Sequence, residues 1–121
     1  QEGILQAEEL LEVIISHAPT KDFETLCSLL IKKSPLLLET KDQNGCTPLF
    51  SLLKRKELSP IEWFVSTFKA DVNAVDVNGR TLLHHAALKG DLSFMLNLAE
   101  KFNFDYQAED NEGWTPPFLY V

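Results

Sequence analysis

Apolar residues recur along this chain at helical rather than strand spacing. In residues 92–101, LSFMLNLAEK, Leu92, Met95, Leu96 and Ala99 form one stripe, which Phe94 and Leu98 widen. Ile61, Phe64, Val65 and Phe68 repeat the arrangement upstream, with Pro60 near the start of that helix. Residues 5–17, LQAEELLEVIISH, read as an amphipathic helix ended by Pro19. A second helix is predicted from a cap at Asp22 through Lys33, with Phe23, Leu26, Leu29 and Leu30 apolar. Glu2, Glu8, Glu9 and Glu12 are expected to give this first pair a polar outer face. Between the later helices the loops KADVNAVD (69–76) and NFDYQAED (103–110) run extended, and Asn103 is a candidate left-handed cap.

The pattern has a period. DQNGCTPLF (42–50), DVNGRTLLH (76–84) and DNEGWTPPF (110–118) align with Asp42, Asp76 and Asp110 each 34 residues apart. Gly45, Gly79 and Gly113 keep the same spacing, as do Thr47, Thr81 and Thr115. Columns that recur without a gap mean one supersecondary unit stacked on itself. Each glycine frees a tight turn, each aspartate can accept hydrogen bonds from the amides of that turn, and each threonine is a helix-cap candidate. Pro48 and Pro116 follow at the first helical position, where a missing N–H costs nothing.

With those motifs in view, the chain resembles the ankyrin-repeat family. DVNGRTLLHHAALKGD with NFDYQAE matches most of one repeat, DQNGCTPLFSLL with KADVNAVD another, and DNEGWTPPF begins a third. The resemblance implies an all-α solenoid of stacked helix pairs with short β-hairpin or turn fingers. It implies one domain over 1–121, with a capping helix pair at 8–41, repeats at 42–75 and 76–109, and an incomplete repeat at 110–121. Departures stand out: Phe50 and Phe118 share the column of His84, Leu52-Leu53 that of Ala86-Ala87, and Lys56 that of Gly90. Leu82 sits where proline is usual, and Pro117 where leucine is usual. The chain opens at Gln1 rather than Met and stops before the third unit completes a helix, so a fragment is expected, with Phe118–Val121 as an apolar tail.

Composition narrows the function. The 121 residues are 45% hydrophobic and 24% charged, as in a folded domain, with no apolar run of membrane-spanning length. Eighteen acidic against 11 basic residues leave a net charge of −7, which disfavours binding to a phosphate backbone and favours a partner with a basic or mixed surface. Cys27 and Cys46 fit neither a disulfide framework nor a zinc knuckle, so free thiols in a reducing cytoplasmic or nuclear setting are expected.

No catalytic, cofactor or metal site is expected. Adjacent helical residues do not face one another, so the His84-His85 pair is not a ligand set by itself. Asp42, Asp76 and Asp110 repeat at every turn, which argues for one local job done three times, and no serine occupies a nucleophile turn. By the resemblance, His84 ties neighbouring fingers together and His85 occupies an exposed column. The family's variable columns, on finger tips and first helices, make a concave protein-binding groove. Here they hold Gln43, Asn44, Cys46, Lys54 and Arg55, then Val77, Asn78, Arg80, Leu88 and Lys89, then Asn111, Glu112 and Trp114. Trp114 and Arg80 are the expected anchors, Lys54, Arg55, Asn78, His85, Leu88 and Lys89 the supporting contacts, and packing in cis within a larger protein the alternative. Arg80 has a second reading as partner to a finger acid such as Glu112. Trp63 is expected to be partly buried against a neighbouring module. Asn73 occupies a column that is hydroxylated in some members of the family.

Overall fold

A computed structural model describes residues 2–120, and side chains from residue 7 to residue 120. The side chain of Glu2 and the last tail residue, Val121, lie outside the described residues. The architecture is all-α. Helices α1 (Glu2–His17) and α2 (Thr20–Lys33) form a first pair, followed by a 3-10 turn at Pro35–Glu39. The next pair is α3 (Pro48–Ser51), continued as a 3-10 turn at Leu52–Arg55, and α4 (Leu58–Phe68). Helices α5 (Leu82–Leu88) and α6 (Leu92–Phe102) make a third pair, and α7 (Pro116–Leu119) packs on α5. No described helix is long and apolar enough to cross a membrane.

Each finger is a turn, and no strand forms among the described residues. The Asp42 carboxylate accepts the N–H groups of Asn44 (2.8 Å) and Cys46 (3.0 Å) through one oxygen. Asp76 does the same for Asn78 (2.8 Å) and Arg80 (3.0 Å), and Asp110 for Glu112 and Trp114 (both 2.9 Å). One backbone bond closes each base, from Asp42 N–H to the Cys46 carbonyl, Asp76 to Arg80 and Asp110 to Trp114. Successive fingers are then joined edge to edge, Val77 N–H to the Asn44 carbonyl (3.0 Å) and Asn111 N–H to the Asn78 carbonyl (2.8 Å). Gly45 is needed twice over: its φ is +79°, and a Cβ there would lie 2.8 Å from the Val77 amide nitrogen.

The core is continuous through the stack. Ile15, Phe23 and Cys27 of the first pair, Leu52, Leu53, Ile61 and Phe64 of the second, and Leu83, Ala86, Ala87 and Leu98 of the third are all buried. The helix starts differ from expectation in two respects. Helix α2 begins at Thr20 with Pro19 in the cap position, so Asp22 lies in the first turn and caps nothing. Thr47 and Thr115 stand at the cap positions of α3 and α7 without a side-chain cap bond, whereas Thr81 accepts the His84 N–H. The difference is the partner three residues on. The His84 imidazole reaches back to the Thr81 N–H and completes a capping box, which a phenylalanine in the same column cannot do.

The first pair also departs from its expected polar outer face. Glu12, half-exposed, reaches toward the next module, where its carboxylate accepts the Ser51 hydroxyl (2.6 Å) and pairs with Lys54 (3.5 Å). The open side of α1 and α2 is apolar instead. Leu10, Val13, Leu26 and Leu29 are exposed along a groove of about 600 Å³. A helix in a stack meets neighbours on two sides, and glutamates on part of its circumference do not make the rest polar.

Candidate partner-binding face

The aspartate side chains hold the fingers, and their environments differ. Asp76 and Asp110 are buried, while Asp42 is exposed. Burial pushes both buried carboxyls up, but the finger amides and a polar neighbour outweigh it and leave each below the ordinary aspartate range. For Asp110 that neighbour is Arg80, whose Nε donates to Oδ2 at 3.1 Å. For Asp76 it is His85, whose Nε2 lies 2.8 Å from Oδ2.

His84 is completely buried and joins two fingers. Its Nδ1 accepts the Thr81 N–H at 3.1 Å, so Nε2 carries the ring proton and donates to the Trp114 carbonyl at 2.8 Å. The side chain thereby fixes the start of α5 and the base of the following finger together.

The expected contact residues fall into two groups. Asn78, Leu88, Lys89 and Trp114 are exposed, and the Trp114 ring packs against Phe118 with centroids 4.2 Å apart. Lys54 is exposed but paired with Glu12. Arg80, Arg55 and His85 each make contacts within the fold. Arg80 pairs with Asp110 rather than Glu112, because Nε sits against the finger base. Arg55 donates to the Ile15 carbonyl and the Ala18 carbonyl (both 3.0 Å), and its guanidinium lies 4.7 Å over the Phe23 ring, so it ties α3 back to the first pair. His85 is half-buried between Asp76 and the Phe50 ring, 4.8 Å away edge-on, and is not the exposed side chain its column suggests. Trp63 is half-buried, edge-on to Phe23 of α2 at 5.7 Å. Asn73 is exposed in its loop, with its N–H bound to Asp71 Oδ1.

A family model described as Ankyrin repeats (many copies) matches residues 53–98. Inversin from Gallus gallus is 34% identical over 117 residues, covering 96% of this chain. The chain belongs to the ankyrin-repeat family. Ankyrin repeats generally mediate protein–protein interaction, and the fingers, paired helices and 34-residue columns described above are that scaffold. The chain spans about a tenth of the inversin sequence it matches.

This ankyrin stack holds two features beyond the aspartate, glycine and threonine columns named above. Asp71 and Asp105 form a further column 34 residues apart, each accepting the N–H two residues on and turning the loop that leaves the second helix. Their spacing alone could have revealed them. Cys46, Asp76 and His85 come from different columns, and their ligand atoms all lie within 4.8 Å of one another. Sequence carries no signal for that cluster, because it forms only when one finger stacks on the next. The Cys46 thiol is pushed up to about 11 by burial, then by the negative charges of Asp42, Asp76 and Glu12. Burial raises the Cys27 thiol to about 12, and both thiols are free.

Proposed function

We propose that the chain is a protein-interaction scaffold that holds its partner against the finger tips and first helices of the stack. The observation that carries this reading is the Trp114 indole, 36% exposed on the third finger. A large aromatic surface left open among polar neighbours such as Asn111 and Glu112 is the composition of an interface centre with a polar rim. Val77 and Leu88 add exposed apolar area on the preceding module. The net charge of −7 favours a partner with a basic or mixed surface. The reading is non-catalytic, since the aspartates and His84 are occupied in holding turns and helix starts.

A second reading, packing in cis against another helix pair, is favoured by the apolar open side of α1 and α2. Leu29 is 57% exposed, and 34 residues later Trp63 reaches from α4 onto Phe23 of the preceding module. Leu29 thus occupies a column that the next module uses for a contact between modules. One experiment separates the two readings: partner capture by crosslinking and mass spectrometry, then calorimetric titration of the captured protein. Trp114→Ala is expected to weaken binding at least ~10-fold, with Leu29→Glu without effect and circular dichroism unchanged in both. Loss of binding in Leu29→Glu alone would move the interface to the first pair and overturn the groove reading.

A further inference from the structure

The two finger interfaces give the same buried carboxylate different side-chain partners. In the second, Arg80 supplies a permanent cation to Asp110 Oδ2, and Leu119 occupies the column of His85. In the first, Cys46 stands in the column of Arg80, and Asp76 Oδ2 meets only an imidazole. The thiol of Cys46, the carboxylate of Asp76 and Nε2 of His85 therefore converge where the next layer keeps its guanidinium. We propose that this cluster is a divalent transition-metal site of the zinc class, with Cys46 Sγ, Asp76 Oδ2 and His85 Nε2 as ligands and water completing the tetrahedron. No metal is expected from sequence patterns alone, since the ligands share neither a column nor a spacing motif.

The geometry and its surroundings fit such an ion. Bonds of ~2.0–2.3 Å at tetrahedral angles hold ligand atoms about 3.3–3.6 Å apart, within reach of the observed spread after small side-chain rotations. The 2.8 Å separation of His85 Nε2 from Asp76 Oδ2 must open by about half an ångström to admit the ion. Asp76 is already oriented, because its other oxygen accepts the N–H groups of Asn78 and Arg80, the kind of outer support that metal-binding carboxylates receive. Phe50 packs on the His85 ring and restrains it. A cleft of about 340 Å³ opens beside Cys46, lined by Glu8, Glu9, Glu12 and Asp42 with Lys41 as the opposing charge, an approach of net negative charge that draws cations. Binding breaks the Cys46 S–H bond and forms a sulfur–metal bond, with that proton released to solvent. His85 binds the ion through the lone pair of an unprotonated Nε2, with its ring proton on Nδ1.

Cobalt(II), a zinc surrogate with a visible spectrum, tests the site in the intact 121-residue chain. Titration is expected to give a near-ultraviolet sulfur-to-cobalt charge-transfer band that added zinc abolishes. Cys46→Ser should eliminate the band, and His85→Leu, which installs the side chain of the next layer, should weaken binding by more than the ~10–100-fold lost with an outer-shell partner. Zinc should also slow alkylation of Cys46, read by peptide mapping, in the parent chain but not in His85→Leu. Absence of the band, its survival in Cys46→Ser, or equal protection of the thiol in His85→Leu would each overturn the assignment.

Discussion

The modules at 42–75 and 76–109 align residue for residue, yet they hold themselves together by different means. The later one relies on local chemistry. Thr81 and His84 form a capping box, Gly90 turns between the helices, Asp91 caps α6 through the Phe94 N–H (3.1 Å), and Asn103 takes the left-handed cap. In the earlier module the same columns hold Thr47 and Phe50 without a capping box, Lys56 forced to φ 54°, Glu57 without a cap bond, and Lys69 at φ 58°. Its first helix manages only Pro48–Ser51 before tightening to a 3-10 turn, where α5 runs unbroken through Leu82–Leu88. Long-range contacts compensate. Leu52 and Leu53 are fully buried where Ala86 and Ala87 stand, and Arg55 grips two carbonyls of the first pair. The same backbone layer can thus be fixed by caps or by burial, and a module weak in one depends on the other.

That contrast is open to breakage. The largest effect is expected from giving the earlier module the small residue of the later one. Leu53→Ala deletes a fully buried side chain with no cap to hold the short helix, and should cost ~2–5 kcal/mol in urea unfolding. A loss below 1 kcal/mol, on the order of a surface change, would mean that burial does not carry this module. Next comes the reverse exchange. His84→Phe removes the capping box and leaves the Trp114 carbonyl with the Asp110 N–H as its one remaining described donor, and about 2 kcal/mol should be lost. Because the lost bond crosses between fingers, amide exchange should quicken at Trp114 as well as in α5. Faster exchange confined to α5 would show that His84 serves only its own helix.

The parts of this molecule readable from sequence are those in which one residue type does the same job at fixed spacing. The aspartate–glycine–threonine columns gave the fingers, and the apolar stripes gave α4 and α6 within a residue or two. What was not readable depends on contact between layers. Arg55 sits in a column that faces partners in the family, but here Phe23 and two free carbonyls at the end of α1 lie within its reach. His85 looked exposed because its column is, yet Phe50, itself a departure from the family's histidine, closes over it. Polarity alone places Glu12 outward, whereas Ser51 and Lys54 meet it from the next module. In each case the neighbour that decides the role is tens of residues away and follows from stacking, which no local pattern encodes.

The smallest expected effect concerns the bend between α3 and α4, and it has the opposite sign. Lys56 adopts φ 54°, ψ 29°, the left-handed conformation that Gly90 takes in the next module. A side chain there costs of order 1–3 kcal/mol in backbone strain, while glycine returns ~0.4–1 kcal/mol of that through its freer unfolded chain. Lys56 is exposed and contributes no described ion pair, so nothing else is lost. Lys56→Gly should therefore stabilise the chain by about 1 kcal/mol, a rise of roughly 4 °C in Tm for a domain of this size. Lys56→Ala is the control: it discards the lysine but keeps a Cβ in the left-handed region, and should leave Tm nearly unchanged. Equal gains in both variants would trace the benefit to lost charge rather than relieved strain. The bend would then be as relaxed in the module at 42–75 as it is at Gly90, and the asymmetry between the two modules would reduce to their caps and cores.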